Sequence, residues 1–241
     1  MADDHTMYDD FWAAFFGLEV ARFREAGVHV VRHAYLGDYS GVWFFVRQSC
    51  VVVSAPDSLF DRLGSKAERI RAEPLPGPEL VRELLGRPPE RVIGPVYQGS
   101  LARGAFRPVH DANVRCLNAA DDPELHALGA ACAPEEWEHS GLGSASDPRY
   151  GYFDHGGLIA VAGTAPRTAS AINPGVLVHP ERRGHGYGRA VVSAVVENAL
   201  ASGKLPLYQT LIGNAGSMAL AERLGYQQYA THVAVRASER I

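Results

Sequence analysis

Between Val176 and Val192 the chain changes character twice, and this narrows the choice of folds more than any other stretch. Val176, Leu177 and Val178 are a short apolar run that predicts the end of a buried strand. Pro180 stops that strand, because proline has no ladder N–H and restricts the residue before it. Gly184, Gly186 and Gly188 then alternate with His185 and Tyr187 before the helical run Arg189-Ala190-Val191-Val192. A glycine-rich turn that opens a helix leaves several main-chain N–H groups without partners, and the helix dipole adds partial positive charge. The pattern predicts a phosphate site at a strand–helix junction, with Arg182, Arg183 and Arg189 adding full charges.

Spacing separates the rival readings of these glycines. They do not follow G-x-G-x-x-G, and about twenty residues on, where a dinucleotide fold places an acid, this chain has only Lys204. No Gly-Lys-Ser/Thr follows either, which excludes a P-loop. A purely structural turn is the other rival.

The chain has 241 residues, enough for one large domain or two small ones. With 46% hydrophobic and 21% charged residues it can bury a sizeable core. A net charge of −4 argues against generic nucleic-acid binding, so the arginines near the glycines are a local feature. Cys50, Cys116 and Cys132 show no C-x-x-C spacing, and neither a disulfide framework nor a metal site is expected. Acidic residues 3, 4, 9 and 10 replace the basic start of a secretory signal, and no apolar run approaches membrane-spanning length. A cytoplasmic location is expected.

Tyr8, Phe11, Trp12, Phe15 and Phe23 predict one amphipathic helix that ends before Gly27, its aromatics in the core. Strand-like runs at Val28–Ala34, Val42–Val46 and Cys50–Ser54 predict a β-meander, with a turn over Gly37–Gly41. A helix should run from about Asp57 toward Arg71, and Glu79–Leu85 should form another, closed by Gly86. Arg91–Tyr97 reads as a strand, and Gln98–Asn113 as the boundary between domains at 1–110 and 111–241.

From Val114 the pattern restarts with a short strand and a helix from Asp122 to about Cys132. Pro134–Gly141 reads as a polar loop, and Tyr150–Phe153 with Leu158–Ala162 as a hairpin around Asp154-His155-Gly156-Gly157. Thr164–Ala169 reads as a loop. Asn173-Pro174-Gly175 inside the strand Ile172–Val178 predicts a bulge, or a ligand close to the backbone. A deep helix from Arg189 to Ala201, a strand from Leu205 to Ile212, a helix from Ala215 and a last strand from Tyr226 complete the chain.

Two motifs of this half resemble the GNAT superfamily of acyl-CoA N-acyltransferases. Arg183-Gly184-His185-Gly186-Tyr187-Gly188 is similar to the family's [Arg/Gln]-x-x-Gly-x-[Gly/Ala] pyrophosphate loop. The segment from Asn214 to Tyr226 is similar to its Asn-x-x-[Ala/Ser]-x-x-Leu-Tyr-x-x-x-Gly-[Phe/Tyr] motif. The resemblance covers about residues 114–241. It implies an α/β (α+β) fold with a mixed, mostly antiparallel sheet flanked by helices. Residues 1–110 would be an α/β extension, either a cover for the acceptor side or a decayed half of the same fold.

The resemblance further implies acetyl-CoA as co-substrate, its pyrophosphate on main-chain amides from Arg183 to Gly188 and its pantetheine arm along Val176–Val178. An amide near Leu177 would polarise the thioester carbonyl. Arg189, Asn214 and Ser217 would complete the cofactor contacts. Where the family usually has a proton-donating tyrosine this chain has Ala221, which leaves Ser217, Tyr208, Tyr226 or water to serve the leaving thiolate.

The implied reaction is acetyl transfer to a primary amine by direct attack, without a covalent enzyme intermediate. Small molecules or amino-acid-like compounds are the expected acceptors, with antibiotics among them. An alkylamine with pKa about 10.4 must lose a proton near neutral pH. Glu136, Glu138 and His179 are the candidate bases, with Glu181 or a water chain as alternatives; each also has a plain reading as a surface or strand-end residue. Asp154-His155 reads as turn chemistry. The competing functions are a non-catalytic acyl-CoA-binding regulatory module, and an acetyltransferase acting on protein N-termini or lysines. A homodimer is among the expected assemblies.

Overall fold

The computed structural model describes residues 5–36, 39–102, 104–144, 146–166 and 168–237. Gly37 and Asp38 of the expected turn, and Arg167, lie outside these. The first half holds α1 (Thr6–Phe16), α2 (Val20–Arg24), β1 (Gly27–Arg32), β2 (Gly41–Arg47) and β3 (Cys50–Ala55). It continues with α3 (Asp57–Gly64), α4 (Ala67–Ala72), α5 (Pro78–Leu85) and β4 (Arg91–Ser100). The second half opens with β5 (Val114–Cys116), α6 (Asp122–Ala131), α7 (Pro134–Ser140), β6 (Ser146–Asp154), β7 (Gly157–Pro166) and β8 (Ala171–Val178). Next come α8 (Tyr187–Ala201), β9 (Leu205–Pro206), β10 (Tyr208–Leu211), α9 (Ala215–Leu224) and β11 (Gln227–Arg236). No helix among the described residues is long and apolar enough to cross a membrane.

The chain divides into two compact units, one of Met1–Gly99, Thr210–Ala215 and Gln228–Ile241, the other of Ser100–Gln209 and Gly216–Gln227. The first is built on a six-stranded sheet of order β1-β3-β2-β11-β4-β10. The expected meander is corrected here. β1 pairs with β3 in parallel, because β2 has β3 on one edge and β11 on the other, with Phe44 opposite Val233. The expected first helix is two: Gly17, at φ 67°, ends α1 in a left-handed cap that a side chain would resist, and the chain restarts at Val20. Of the aromatics read as core, Tyr8, Trp12, Phe15 and Phe23 are buried and Phe11 is half-buried. The helix expected toward Arg71 also breaks, at Ser65, whose hydroxyl donates to the Arg62 carbonyl.

The second unit has a five-stranded sheet of order β5-β6-β7-β8-β9, antiparallel except for the β8–β9 pair. This is the mixed, mostly antiparallel sheet expected. α8 packs across β6, β7 and β8, and Val191, Val192, Val195 and Val196 are buried. α6 closes the other face over Leu117, Leu158, Val161 and Leu177. His155 at φ 48° and Gly156 at φ 84° form the tight turn of the predicted β6–β7 hairpin.

Four local expectations change. Pro134–Ser140 is helix α7, started by Pro134 and closed by Gly141 at φ 70°. β7 extends through Thr164 to Pro166, because β8 is long enough to pair with it there. The strand expected over Leu205–Ile212 is split at Leu207 into β9 and β10. Finally, no bulge forms at Asn173-Pro174-Gly175, where the β7–β8 register is continuous.

Candidate functional site

Pro174 fits a regular strand because of its parity. The His179 amide donates to Ile159 of β7, whereas the Ile172 carbonyl accepts from Leu207 on the opposite edge. Alternation along the ladder therefore turns the polar groups of residues 173, 175 and 177 toward β7, and those of 172, 174, 176 and 178 outward. A proline facing outward costs no ladder bond. β9 pairs with Ala171 and Ile172, and among the described residues no strand pairs with the outward edge beyond them. The amides on that edge belong to Val176 and Val178, while the amide of Leu177 lies in the β7 ladder.

The close backbone approach expected near Gly175 is real, but the chain itself makes it. A Cβ on Gly175 would lie 1.8 Å from the Ser140 carbonyl oxygen at the end of α7. On the other face of β8, a Cβ on Gly188 would meet Val178 Cγ2 at 3.0 Å. Gly188 thus sets the close packing of α8 on β8.

Gly184 and Gly186 behave differently. Their φ values of 83° and 90° are left-handed, and a Cβ on either would meet nothing within 4 Å. Among the described residues, none accepts from the amides of Gly184, His185, Gly186, Tyr187 or Gly188. The loop therefore offers a run of N–H groups to open space at the positive end of a 15-residue helix. His185 Nδ1 lies 2.8 Å from the Arg183 carbonyl, and the His185 and Tyr187 rings stack at 5.8 Å. Tyr187 also packs on Tyr152 at 4.6 Å. Asp111 and Asn113 fix the Tyr152 hydroxyl.

Arg182 and Arg183 are already engaged. Arg182 lies 3.5 Å from the Asp154 carboxylate. Arg183 donates Nε–H to the Val178 carbonyl at 3.3 Å and ion-pairs with Glu136 at 2.9 Å. The guanidinium of Arg183 and the amide of Ala133 hold the Glu136 carboxyl below its ordinary range. Arg189 has its Nε buried with no partner among the described residues. Beside Arg183, burial pushes the Cys132 thiol up, and its Sγ lies 3.8 Å from the Val178 carbonyl. Cys132 carried no sequence signal beyond its apolar surroundings.

Of the other expected bases, Glu138 is exposed on α7, and His179 accepts the Glu181 amide on Nδ1 at 3.3 Å. Two of the proposed proton donors share a hydrogen bond, Tyr208 hydroxyl to Ser217 Oγ at 3.0 Å, and the Tyr226 ring packs 5.1 Å from that of Tyr208. Burial pushes the Tyr208 hydroxyl up to about 12. Ala221 is fully buried. Asn214 belongs to the first unit, where its amide donates to the Leu211 carbonyl at 2.9 Å.

The family model described as FR47-like protein matches residues 149–235. A putative GNAT-family acetyltransferase from Novosphingobium aromaticivorans is 27% identical with a TM-score of 0.51, over 63% of this chain and 67% of its own. A GNAT-family acetyltransferase from Colwellia psychrerythraea has the same TM-score at 15% identity, over 66% of this chain. That alignment spans 62% of the Colwellia chain, less than two thirds of it. Comparison with curated proteins gives no match. With an opened β8 edge running into a glycine loop and helix, the chain has the GNAT-superfamily acyl-CoA N-acyltransferase fold, its FR47-like region lying at residues 149–235.

Proposed function

We propose that the protein transfers an acetyl group from acetyl-CoA to a primary amine of a small, amino-acid-like acceptor. The observation that carries this reading is two sets of amides without a partner among the described residues, Val176 and Val178 on the open strand edge and Gly184–Gly188 at the start of α8. A pyrophosphate fits the loop, where no atom would meet a Cβ on Gly184 or Gly186. The pantetheine amides would add to the strand edge as an extra strand does. The Val176 or Val178 N–H would then polarise the thioester oxygen as the tetrahedral intermediate forms.

In this reaction the amine nitrogen bonds to the carbonyl carbon, the C–S bond breaks, and the amine proton leaves to a base. Glu138, His179 or an ordered water is better suited to that role than Glu136, which is tied to Arg183. The departing thiolate needs little help, since a thiol has a pKa of about 8.5. A non-catalytic acyl-CoA-binding module is the second reading, favoured by alanine at position 221.

Free-thiol release from acetyl-CoA across a panel of amines, amino acids and peptides tests the proposal. Turnover with small amines supports it, and turnover only with peptides moves the acceptor to protein N-termini or lysines. Saturable CoA binding with no turnover leaves the regulatory module. Gly186→Val tests the donor site: a folded variant with unchanged CoA affinity would show that the loop does not hold the pyrophosphate.

A further inference from the structure

α7 is too short to be stable alone, and none of its residues is fully buried. Its position comes from three contacts. The Trp137 ring packs so closely on α6 that a Cβ on Gly129 would lie 2.9 Å from it. The Ser140 carbonyl sits over Gly175 of β8. At the first turn, Glu136 accepts the Ala133 amide at 3.1 Å and the Arg183 guanidinium at 2.9 Å.

Arg183 is also the first residue of the glycine loop, and its Nε–H closes the outward carbonyl of Val178. One guanidinium thus joins the strand end, the loop and the helix. Its charge is directed at a carboxylate, so anion binding falls to the loop amides. α7 is pinned beside β8 at both ends of Gly175–Val178, the segment that carries the outward amides. It therefore forms one wall of the place where those amides point.

We propose that Arg183 and Glu136 are a positioning pair that couples occupancy of the glycine loop to the placement of α7. Ordering the loop fixes the Arg183 main chain, which fixes its guanidinium, which fixes the first turn of α7. CoA bound at the loop would thereby build the wall against which the second substrate is placed. This inference rests on the CoA reading of the loop.

Hydrogen exchange on the full chain with and without CoA tests it, with peptides covering 134–140 and 183–188. In the wild-type protein CoA should slow exchange in both segments, by about tenfold in α7, within the usual range of coupling between sites. Glu136→Gln keeps an acceptor for the Ala133 amide but loses the ion pair. In that variant the loop should still be slowed, and α7 by less than about twofold. Arg183→Gln breaks the pair from the other side and should give the same loss in α7. Equal slowing of α7 in wild type and either folded variant would overturn the inference. If CoA fails to slow 183–188 in the wild type, the CoA reading itself is overturned, and the inference falls with it.

Discussion

The Tyr229 hydroxyl donates to the Asp9 carboxylate at 2.5 Å, joining residues 220 positions apart. Asp9 is wholly buried and also takes Arg24 at 2.7 Å and Arg47 at 2.9 Å. Arg47 is itself buried and lies over the Phe23 and Tyr229 rings. Removing the carboxylate strands a buried guanidinium. Asp9→Ala should therefore lower the unfolding free energy by about 3–5 kcal/mol in urea denaturation. Tyr229→Phe should lower it by about 1–2 kcal/mol. A loss below about 1 kcal/mol for Asp9→Ala would mean that water reaches Arg47.

Gly175→Ala should be among the most damaging small substitutions in the second unit. The new methyl would overlap the Ser140 carbonyl oxygen at 1.8 Å, and backbone cannot yield as a side chain does. Overpacking of this kind costs about 3 kcal/mol or more when neither strand nor helix can shift. Thermal melting of the variant checks it; an unchanged midpoint would mean that α7 moves freely away from β8.

Asp121 gives a pH dependence with a definite sign. Arg115 and the Asn118 amide hold its carboxyl down to about 2, from an ordinary value of 3.8. A depressed acid stabilises the fold above its unfolded pKa, and that contribution is lost as pH falls from about 4 to about 2. Asp121→Asn should be less stable than wild type at neutral pH and flatter in stability across that acid window. Parallel acid-unfolding curves for the two proteins would contradict the assignment.

Tyr208 is better suited to shaping the site than to delivering a proton. With its hydroxyl near 12 it is a weaker acid than a thiol of pKa about 8.5, so transfer to the thiolate would run uphill. Tyr208→Phe should reduce kcat for thiol release by less than about tenfold, against the 10²–10⁴ of a true general acid, roughly. A larger loss, present at every pH where the hydroxyl is protonated, would make Tyr208 the donor.

Glu138→Gln bears on the base. If this exposed carboxylate takes the amine proton, kcat/KM should fall about a hundredfold near neutral pH and recover as the amine deprotonates unaided. A pH–rate profile that keeps its shape would leave His179 or water in that role.

The motifs carried their signal in local chemistry. Gly186 and Gly188, flanked by an apolar strand and an apolar helix, announce a strand–loop–helix junction wherever the rest of the chain goes. The α7 helix was also legible in principle: Pro134, Glu136 and Gly141 are start, cap and stop signals, outweighed by the surrounding polar residues. Pro174 held another clue. A proline inside a regular strand must face away from the ladder, which assigns the open amides to Val176 and Val178 instead of Leu177. Pairing between distant segments leaves no such mark. Nothing in Val42–Val46 says that its second edge is filled by Thr231–Arg236, and nothing near Arg183 says that its partner is Glu136.

The placement of β11 between β2 and β4 has a consequence for biosynthesis. Chains leave the ribosome from the N-terminus, so β1, β2 and β3 emerge while the strand that seals β2 is still untranslated. Residues 100–209, most of the second unit, can condense during that interval, whereas the first unit's sheet waits for residues 227–236. Until then the Val42-Trp43-Phe44-Phe45-Val46 edge is apolar and unpaired, the kind of edge that recruits other chains. The nascent protein is thus most prone to aggregation in the interval between the release of β2 and that of β11.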